Sequence, residues 1–407
     1  MHLGPDWSGM MSVISSSSAL PATADVVIIG GGIAGASDAF HLCKAGLTVV
    51  VIERGEQLAG LTTAQSVACF RAQWDEPDYA ALVLPSIDFY GAFAERVGLP
   101  GWEIGIRRQG WLFITGAEGG PAAVQAFVAG HRRFGVHDSE YLSGDEARQR
   151  FGWLGPDVTA ASFRALDGWV SPYEVTYGFA KASSATFALG TTATGIVTDG
   201  EVVAGVETDR GTISTRLVVL AAGPFSRGLA EMAGVVLPVS ALRRHRAMVA
   251  PRPEIPGDAP MTVDMDTHAY WRPEGGGAFL GHGLAEDPSE PALSVPIDWT
   301  FPAVAMDAAG RLVPFWRGLA EHLTQAEVSL GAGQYTVTLD GRPIIGATGG
   351  IDGLFMHGAD NGWGVESAPE AGRRLAAIVL AGRDSPDNPF RIDRPSITRP
   401  GERTITY

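Results

Sequence analysis

An apolar run, Asp25-Val26-Val27-Ile28-Ile29, passes without a break into Gly30-Gly31-Gly32-Ile33-Ala34-Gly35 and then into a helical pattern. Few folds accept that order. Gly30 allows the chain to leave a strand in a tight turn, Gly32 allows backbone to approach a pyrophosphate, and Gly35 allows helix and strand to pack with no Cβ between them. The stretch reads as a nucleotide-binding β-α-β unit, with phosphates on the N–H groups of a helix N-terminus.

The flanks agree with this. Ala39, Leu42 and Cys43 recur at helical spacing, Gly46 supplies a stop, and Leu47-Thr48-Val49-Val50-Val51-Ile52 reads as a buried parallel strand. Glu53, followed by Arg54, ends that strand about 20 residues beyond the glycines, where a carboxylate can accept the ribose hydroxyls of an adenosine. An acid there suits NAD or FAD and repels the 2′-phosphate of NADP.

At 407 residues the chain exceeds one usual core, so two domains are expected. Its formal charge of −15 argues against nucleic acid or an anionic membrane surface as partner. Two cysteines, Cys43 and Cys69, offer neither a disulfide framework nor a metal site, which suits a reducing, cytoplasmic setting. Residues 1–23 lack the basic and apolar parts of a signal peptide and read as a disordered leader. No apolar run is long enough to span a membrane.

Farther along, Gly60 to Ser66 forms a small polar loop leading to Arg71 and Trp74. Apolar spacing predicts a helix over Tyr79 to Val97 and a strand over Gly105 to Phe113. Residues 202–208 and 212–215 read as a hairpin, and Leu217 to Leu220 as another buried strand ending in Ala221-Ala222-Gly223. Between 236 and 332 the texture changes to dispersed prolines and aromatic residues, as in a sheet walling an apolar pocket. Near the end, Gly353 to His357 reads as a strand, and Gly358, Gly362 and Gly364 as an open turn. A helix is then expected from Ser367-Ala368-Pro369-Glu370, with Ser367 and Glu370 as a capping box.

The glycine motif with Glu53-Arg54, the loop Gly60 to Arg71, the block Val218 to Ser226 and the segment Thr338-Leu339-Asp340-Gly341-Arg342-Pro343-Ile344-Ile345-Gly346 stand in a telling order. Together they resemble the FAD-dependent amino-acid and amine oxidoreductases of the D-amino-acid oxidase superfamily, in the branch of sarcosine oxidase and dimethylglycine dehydrogenase. The resemblance implies an α/β plus α+β architecture: a Rossmann-like FAD-binding domain and a substrate domain built on a mixed β-sheet. The FAD domain would be assembled from residues 24–105, 165–235 and 333–390, the substrate domain from 106–164 and 236–332, with a C-terminal tail at 391–407. The implied reaction oxidises the C–N bond of a small N-methyl, secondary or D-amino acid by hydride transfer to flavin N5, giving an imine that hydrolyses.

In that frame Gly30, Gly32, Ile33, Ala34 and Gly35 hold the pyrophosphate, and Glu53 with Arg54 the adenosine. Thr62, Thr63 and Ala64 approach the phosphates and flavin; Ala193, Ala222 and Gly223 line the nucleotide. Gly362, Trp363, Gly364 and Val365 meet the flavin's pyrimidine edge, which the positive end of the last helix stabilises when reduced. Arg71 aligns with an arginine that clamps a substrate carboxylate, a task suited to planar guanidinium. Arg272 and His282 are further candidates. Several such enzymes attach flavin through a cysteine just before the Thr-x-Asp-Gly segment, where this chain has Gly331-Ala332-Gly333-Gln334-Tyr335 and its two cysteines lie far away, so FAD is expected to be non-covalent. Glu366 aligns where sarcosine-type oxidases keep a lysine that favours transfer to O2. Open alternatives are therefore a dehydrogenase passing electrons to a partner protein, a non-catalytic flavin-binding subunit, and an NAD enzyme built on the first motif alone.

Overall fold

A computed structural model describes residues 19–283 and 287–399. Strands Val26–Ile29, Val49–Ile52 and Leu217–Leu220 are short, β-branched and almost wholly buried, as a parallel sheet covered on both faces requires. They form the centre of a six-stranded sheet in the order Ile344–Ala347, Leu354–Gly358, Leu217–Leu220, Val26–Ile29, Val49–Ile52, Thr186–Ala188. Every neighbour is parallel except the antiparallel edge strand Ile344–Ala347. A three-stranded sheet of Ala193–Asp199, Val202–Thr208 and Gly211–Ser214 adjoins it and contains the expected hairpin.

The second layer is an eight-stranded mixed sheet. Its order is Val328–Val337, Ser240–Val249, Gly277–His282, Ala269–Glu274, Met261–Asp264, Trp111–Thr115, Ala160–Arg164, Glu140–Ser143. Only the pair Met261–Asp264 and Trp111–Thr115 is parallel. Val328–Val337 crosses the boundary expected at 333, because it pairs along its whole length with Ser240–Val249. The aromatic residues of this region mainly fill core: Trp271 and Trp316 are fully buried, with Phe315 packed edge-on against Trp271.

Several expected boundaries move. The helix foreseen over 79–97 is two helices, Pro77–Gly91 and Phe93–Val97, and the strand foreseen over 105–113 is Trp111–Thr115. Of the expected leader, residues 1–18 lie outside the described residues, whereas Thr23 already bridges to Ser214 and Leu20 packs on the core. The expected tail is also packed as far as it is described: Arg394 is buried and bonds both oxygens of Asp340.

The last helix departs most from expectation. It runs Gly364–Ala381 with Trp363 at its N-cap, so Pro369 lies inside it and Ser367 with Glu370 is no capping box. Ser367 Oγ donates to Trp363 C=O, and Glu370 binds Arg373 and Arg374. Pro369 has no N–H for the carbonyl of Val365. That carbonyl accepts instead from the hydroxyl of Tyr90. The facing helix Pro77–Gly91 carries the mirror arrangement: Pro85 strands the Ala81 carbonyl, and Arg374 Nη2 donates to it at 2.7 Å. Each proline-interrupted helix is thus completed by a side chain of the other, which keeps buried backbone satisfied and brings the N-terminus of the last helix over the first.

Candidate active site

The first glycine turn is built as a cradle. Gly30 has φ +119° and a Cβ there would lie 2.3 Å from the Ala221 carbonyl oxygen; at Gly35 it would lie 2.0 Å from that of Gly30. Neither position tolerates a side chain. Helix Ile33–Lys44 starts at Gly32 with no side-chain cap, although Ile33 N–H donates to Thr63 Oγ1 at 3.2 Å. Its positive end is aimed at a cavity of about 450 Å³.

Glu53 stands at the mouth of the neighbouring strand. Its two oxygens accept from the N–H groups of Gly31 and Gly55, at 2.8 and 2.7 Å, which fixes the carboxylate while leaving lone pairs toward the cavity. The Arg54 guanidinium carbon lies over the Phe225 ring, 3.7 Å from its centre. Gly30, Gly32, Ile33, Ala34, Glu53, Arg54, Thr62, Thr63, Ala193, Ala222, Gly223, Gly362, Gly364 and Val365 all border the cavity. Ala64 does not, but its carbonyl anchors Arg246; Gly35 serves packing beneath the turn.

Trp363 faces away. It is buried edge-on against Trp74, with ring centres 4.9 Å apart, and the turn ahead of it sends Gly362 and Gly364 to the cavity in its place. Gly362 has φ +96°, and a Cβ on it would meet the Tyr335 ring at 2.6 Å.

None of the four catalytic candidates borders the cavity. Arg71 is buried behind it, its guanidinium 3.9 Å from the Trp74 ring centre and 5.2 Å from that of Trp363, with Nη1 donating to Gln73 C=O. Aromatic faces and a backbone carbonyl hold the charge that was expected to meet a substrate. Glu366 lies beside it, one oxygen accepting from Arg71 N–H at 3.0 Å. Burial pushes its carboxyl up to about 8, against the opposing pull of the Arg71 charge. The shift is toward the protonated, neutral form, which weakens the negative charge beside Arg71. Arg272 donates to Val67 C=O and Glu274 and stacks between Trp169 and Phe279. His282 ends strand Gly277–His282, and burial, with His268 nearby, lowers its basicity.

The side chains that do wall the far end come mainly from the mixed sheet. Arg244 and Arg246 are two apart on strand Ser240–Val249, so alternation points both to one face. Arg246 Nη1 donates to Ala64 and Ser66 carbonyls at 3.2 and 2.8 Å, and its guanidinium lies 4.5 Å from the Phe279 ring centre. Tyr270 and Tyr335 stand nearby, with burial raising both phenols above their ordinary range and hence keeping them protonated. The sequence carried a usable signal here, since Arg243-Arg244-His245-Arg246 in an alternating strand must send cations to both faces.

A second unforeseen feature lies under the cradle. His357, bordering the cavity, has Nδ1 2.8 Å from Asp38 Oδ1, and both side chains are buried. Burial alone would lower His357, but the Asp38 charge and hydrogen bond hold it up at about 9. The pair ties the first helix to strand Leu354–Gly358. A carboxylate in an otherwise apolar helix face was its signal.

The FAD dependent oxidoreductase family model matches residues 25–378. The chain belongs to that family. The residues fit its cofactor: the cradle admits only backbone where a pyrophosphate would rest, and Glu53 faces the cavity with lone pairs for a ribose. At 26% identity the chain is similar to "4-methylaminobutanoate oxidase (formaldehyde-forming)" of Paenarthrobacter nicotinovorans, over 93% of this chain and 46% of that one. It is 27% identical to mitochondrial sarcosine dehydrogenase of Homo sapiens, over 90% of this chain and 41% of that one. The chain thus spans less than half the length of these two relatives. Among solved structures, L-proline dehydrogenase from P. horikoshii superposes with TM-score 0.79 at 23% identity, covering 91% of this chain and 96% of that one. Glycine oxidase from Geobacillus kaustophilus gives TM-score 0.79 at 22% identity, covering 92% and 99%. The α/β plus α+β fold and the dependence on FAD follow. Among the described residues no helix is long and apolar enough to cross a membrane.

Proposed function

We propose that this oxidoreductase uses FAD, held non-covalently, to oxidise the C–N bond of a small amino acid carrying a secondary or N-methylated amine. The observation that carries the reading is one continuous cavity, with a nucleotide cradle at one end and a chamber walled by Tyr270, Tyr335, Arg244 and Arg246 at the other. The names of the relatives, which include an N-methylamino-acid oxidase and sarcosine dehydrogenase, support an amine of this class.

When bound, the flavin supplies a two-electron acceptor for the hydride. The chain's own residues orient the amine. Arg246 is the residue best placed to take the substrate carboxylate: it borders the cavity, backbone carbonyls fix its orientation, and no carboxylate of a described residue ion-pairs with it. Glu274, the nearby acid, is committed to Arg272. Arg71 then acts from behind the wall, holding the loop that ends at the cavity through its contacts with Gln73 and Glu366. The acids bordering the cavity among the described residues are Glu53, engaged at the nucleotide end, and Asp360, which burial keeps toward its neutral form. The amine therefore enters neutral, since the chamber offers no strong base to deprotonate it.

The test is the visible spectrum of the purified protein, before and after acid precipitation, followed by anaerobic addition of sarcosine, proline and D-alanine. The reading expects flavin bands that leave with the supernatant and bleach with a secondary or N-methyl amine. A yellow protein that no amine bleaches would contradict it. Peroxide formation under air, compared with turnover on an artificial dye, separates an oxidase from a dehydrogenase that passes electrons to a partner protein.

A further inference from the structure

Several buried or half-buried arginines of the chain are neutralised by carboxylates, unlike the two of the chamber. Arg164 is paired with Asp138 and Asp167, Arg311 with Asp264 and Asp266, Arg342 with Asp78, and Arg394 with Asp340. These pairs are expected in a chain with 45 carboxylates against 30 cationic side chains. Arg244 and Arg246 have no ion pair with any described residue. Arg244 Nη1 reaches only the carbonyl of Arg243, its Nε is buried without a hydrogen-bond partner among the described residues, and the Tyr335 ring lies 5.7 Å away.

Strand geometry explains why no carboxylate of a described residue meets them. Their neighbours Arg243 and His245 point to the opposite face, where Asp287 and the backbone of Asp298 engage them. Across the strand pair, Arg244 faces Gly333 and Arg246 faces Gly331, positions with no side chain to shield or neutralise a guanidinium. Gln65, Ser66, Val67, Tyr270, Tyr335 and Val365, which also line the cavity, carry no charge, and Asp360, the acid in its lining besides Glu53 among the described residues, is pushed by burial toward its neutral form. Leaving one cation partly buried without a counter-charge is costly, and leaving two more so. The phosphates of a dinucleotide belong at the other end, in the cradle of Gly30 to Gly35.

We propose that Arg244 forms a second anion subsite, so that the preferred substrate is an N-substituted amino acid with an additional carboxylate at the end of a short side chain. The proposal rests on the reading that Arg246 takes the first carboxylate. Residues two apart on a strand are separated by roughly 7 Å, a span that aspartate- to aminoadipate-length dicarboxylates bridge when the guanidinium groups converge on them. With both carboxylates seated and the amine neutral, the ligand's charge balances that of the chamber. Planar guanidinium donors add selectivity for carboxylate over amide, because an amide presents N–H groups where only acceptors fit.

The experiment uses the FAD-loaded enzyme and two unreactive probes, glutarate and its half-amide glutaramate, titrated by their perturbation of the flavin spectrum. Glutarate should bind at least about tenfold tighter, and in Arg244→Gln that ratio should fall below about threefold, with Arg244→Lys restoring part of it. Equal binding of the probes to the wild type, or a ratio unchanged in Arg244→Gln, would overturn the subsite. Retained flavin and an unchanged circular dichroism spectrum exclude misfolding as the cause. In parallel, N-methylglutamate and N-methylglutamine are added anaerobically. A glutarate preference that depends on Arg244, with no amine bleaching the flavin, would keep the subsite and sink the oxidation reading. Bleaching by N-methylglutamine as readily as by N-methylglutamate would keep the oxidation reading and sink the subsite.

Discussion

The two ends of the cavity are made of different material. At the nucleotide end, selectivity comes from backbone: glycines with no room for a Cβ, a helix N-terminus, and one carboxylate fixed by two N–H groups. At the end proposed for the substrate the walls are side chains of a mixed sheet, with Arg244, Arg246, Tyr270 and Tyr335 brought together by strand pairing across long stretches of chain. A backbone site leaves a local signature in sequence. A side-chain site assembled by register does not, and it is free to change while the first end stays constant.

Changes at each end are expected to have separable effects. The largest is expected at Gly35. A Cβ there would sit 2.0 Å from the Gly30 carbonyl oxygen, so Gly35→Ala should yield protein without visible flavin bands or no soluble protein. Flavin retained at wild-type affinity would refute the cradle.

Next comes the buried pair beneath it. Asp38→Asn leaves His357 without its counter-charge and should cost about 3 kcal/mol in denaturant unfolding at pH 6. The sign with pH follows from the raised His357: its contribution is full below the ordinary histidine value and is lost as pH rises through about 9. Wild type should therefore lose stability between pH 6.5 and 9, and the variant should lose less over the same range. A variant with the wild-type slope would remove the pair from the account.

A smaller effect is expected at Glu53. Glu53→Gln replaces an acceptor-only group by an amide and should weaken FAD binding about tenfold, corresponding to ~1.4 kcal/mol, without altering the affinity for amine once the enzyme is saturated with flavin. Equilibrium titration of apoprotein with FAD measures the first, and anaerobic amine titration the second. Loss of both together would break the separation of the two ends.

The same division explains what could be read from the chain. The β-α-β unit and Glu53 were legible because glycine spacing, strand and acid lie within 30 consecutive residues. The start of the last helix was misplaced by three to five residues because Pro369 looks like a first-turn residue. Only the packed pair shows that Tyr90 satisfies the carbonyl it frees. Arg71 looked like a carboxylate clamp by alignment; that aromatic rings enclose its guanidinium depends on Trp111, Phe113 and Trp363 arriving from distant segments to join the nearby Trp74. Arg246 went unnoticed because nothing near it in sequence shows that its cross-strand neighbour is Gly331.

The most direct test of the account is Arg246→Met, examined for FAD affinity and for anaerobic flavin reduction by the best N-methyl amino acid. The account predicts an unchanged FAD dissociation constant and an amine affinity at least about thirtyfold weaker, corresponding to ~2 kcal/mol for one lost charge-assisted pair. An unchanged amine affinity, or a loss of FAD in step with the amine, would contradict it.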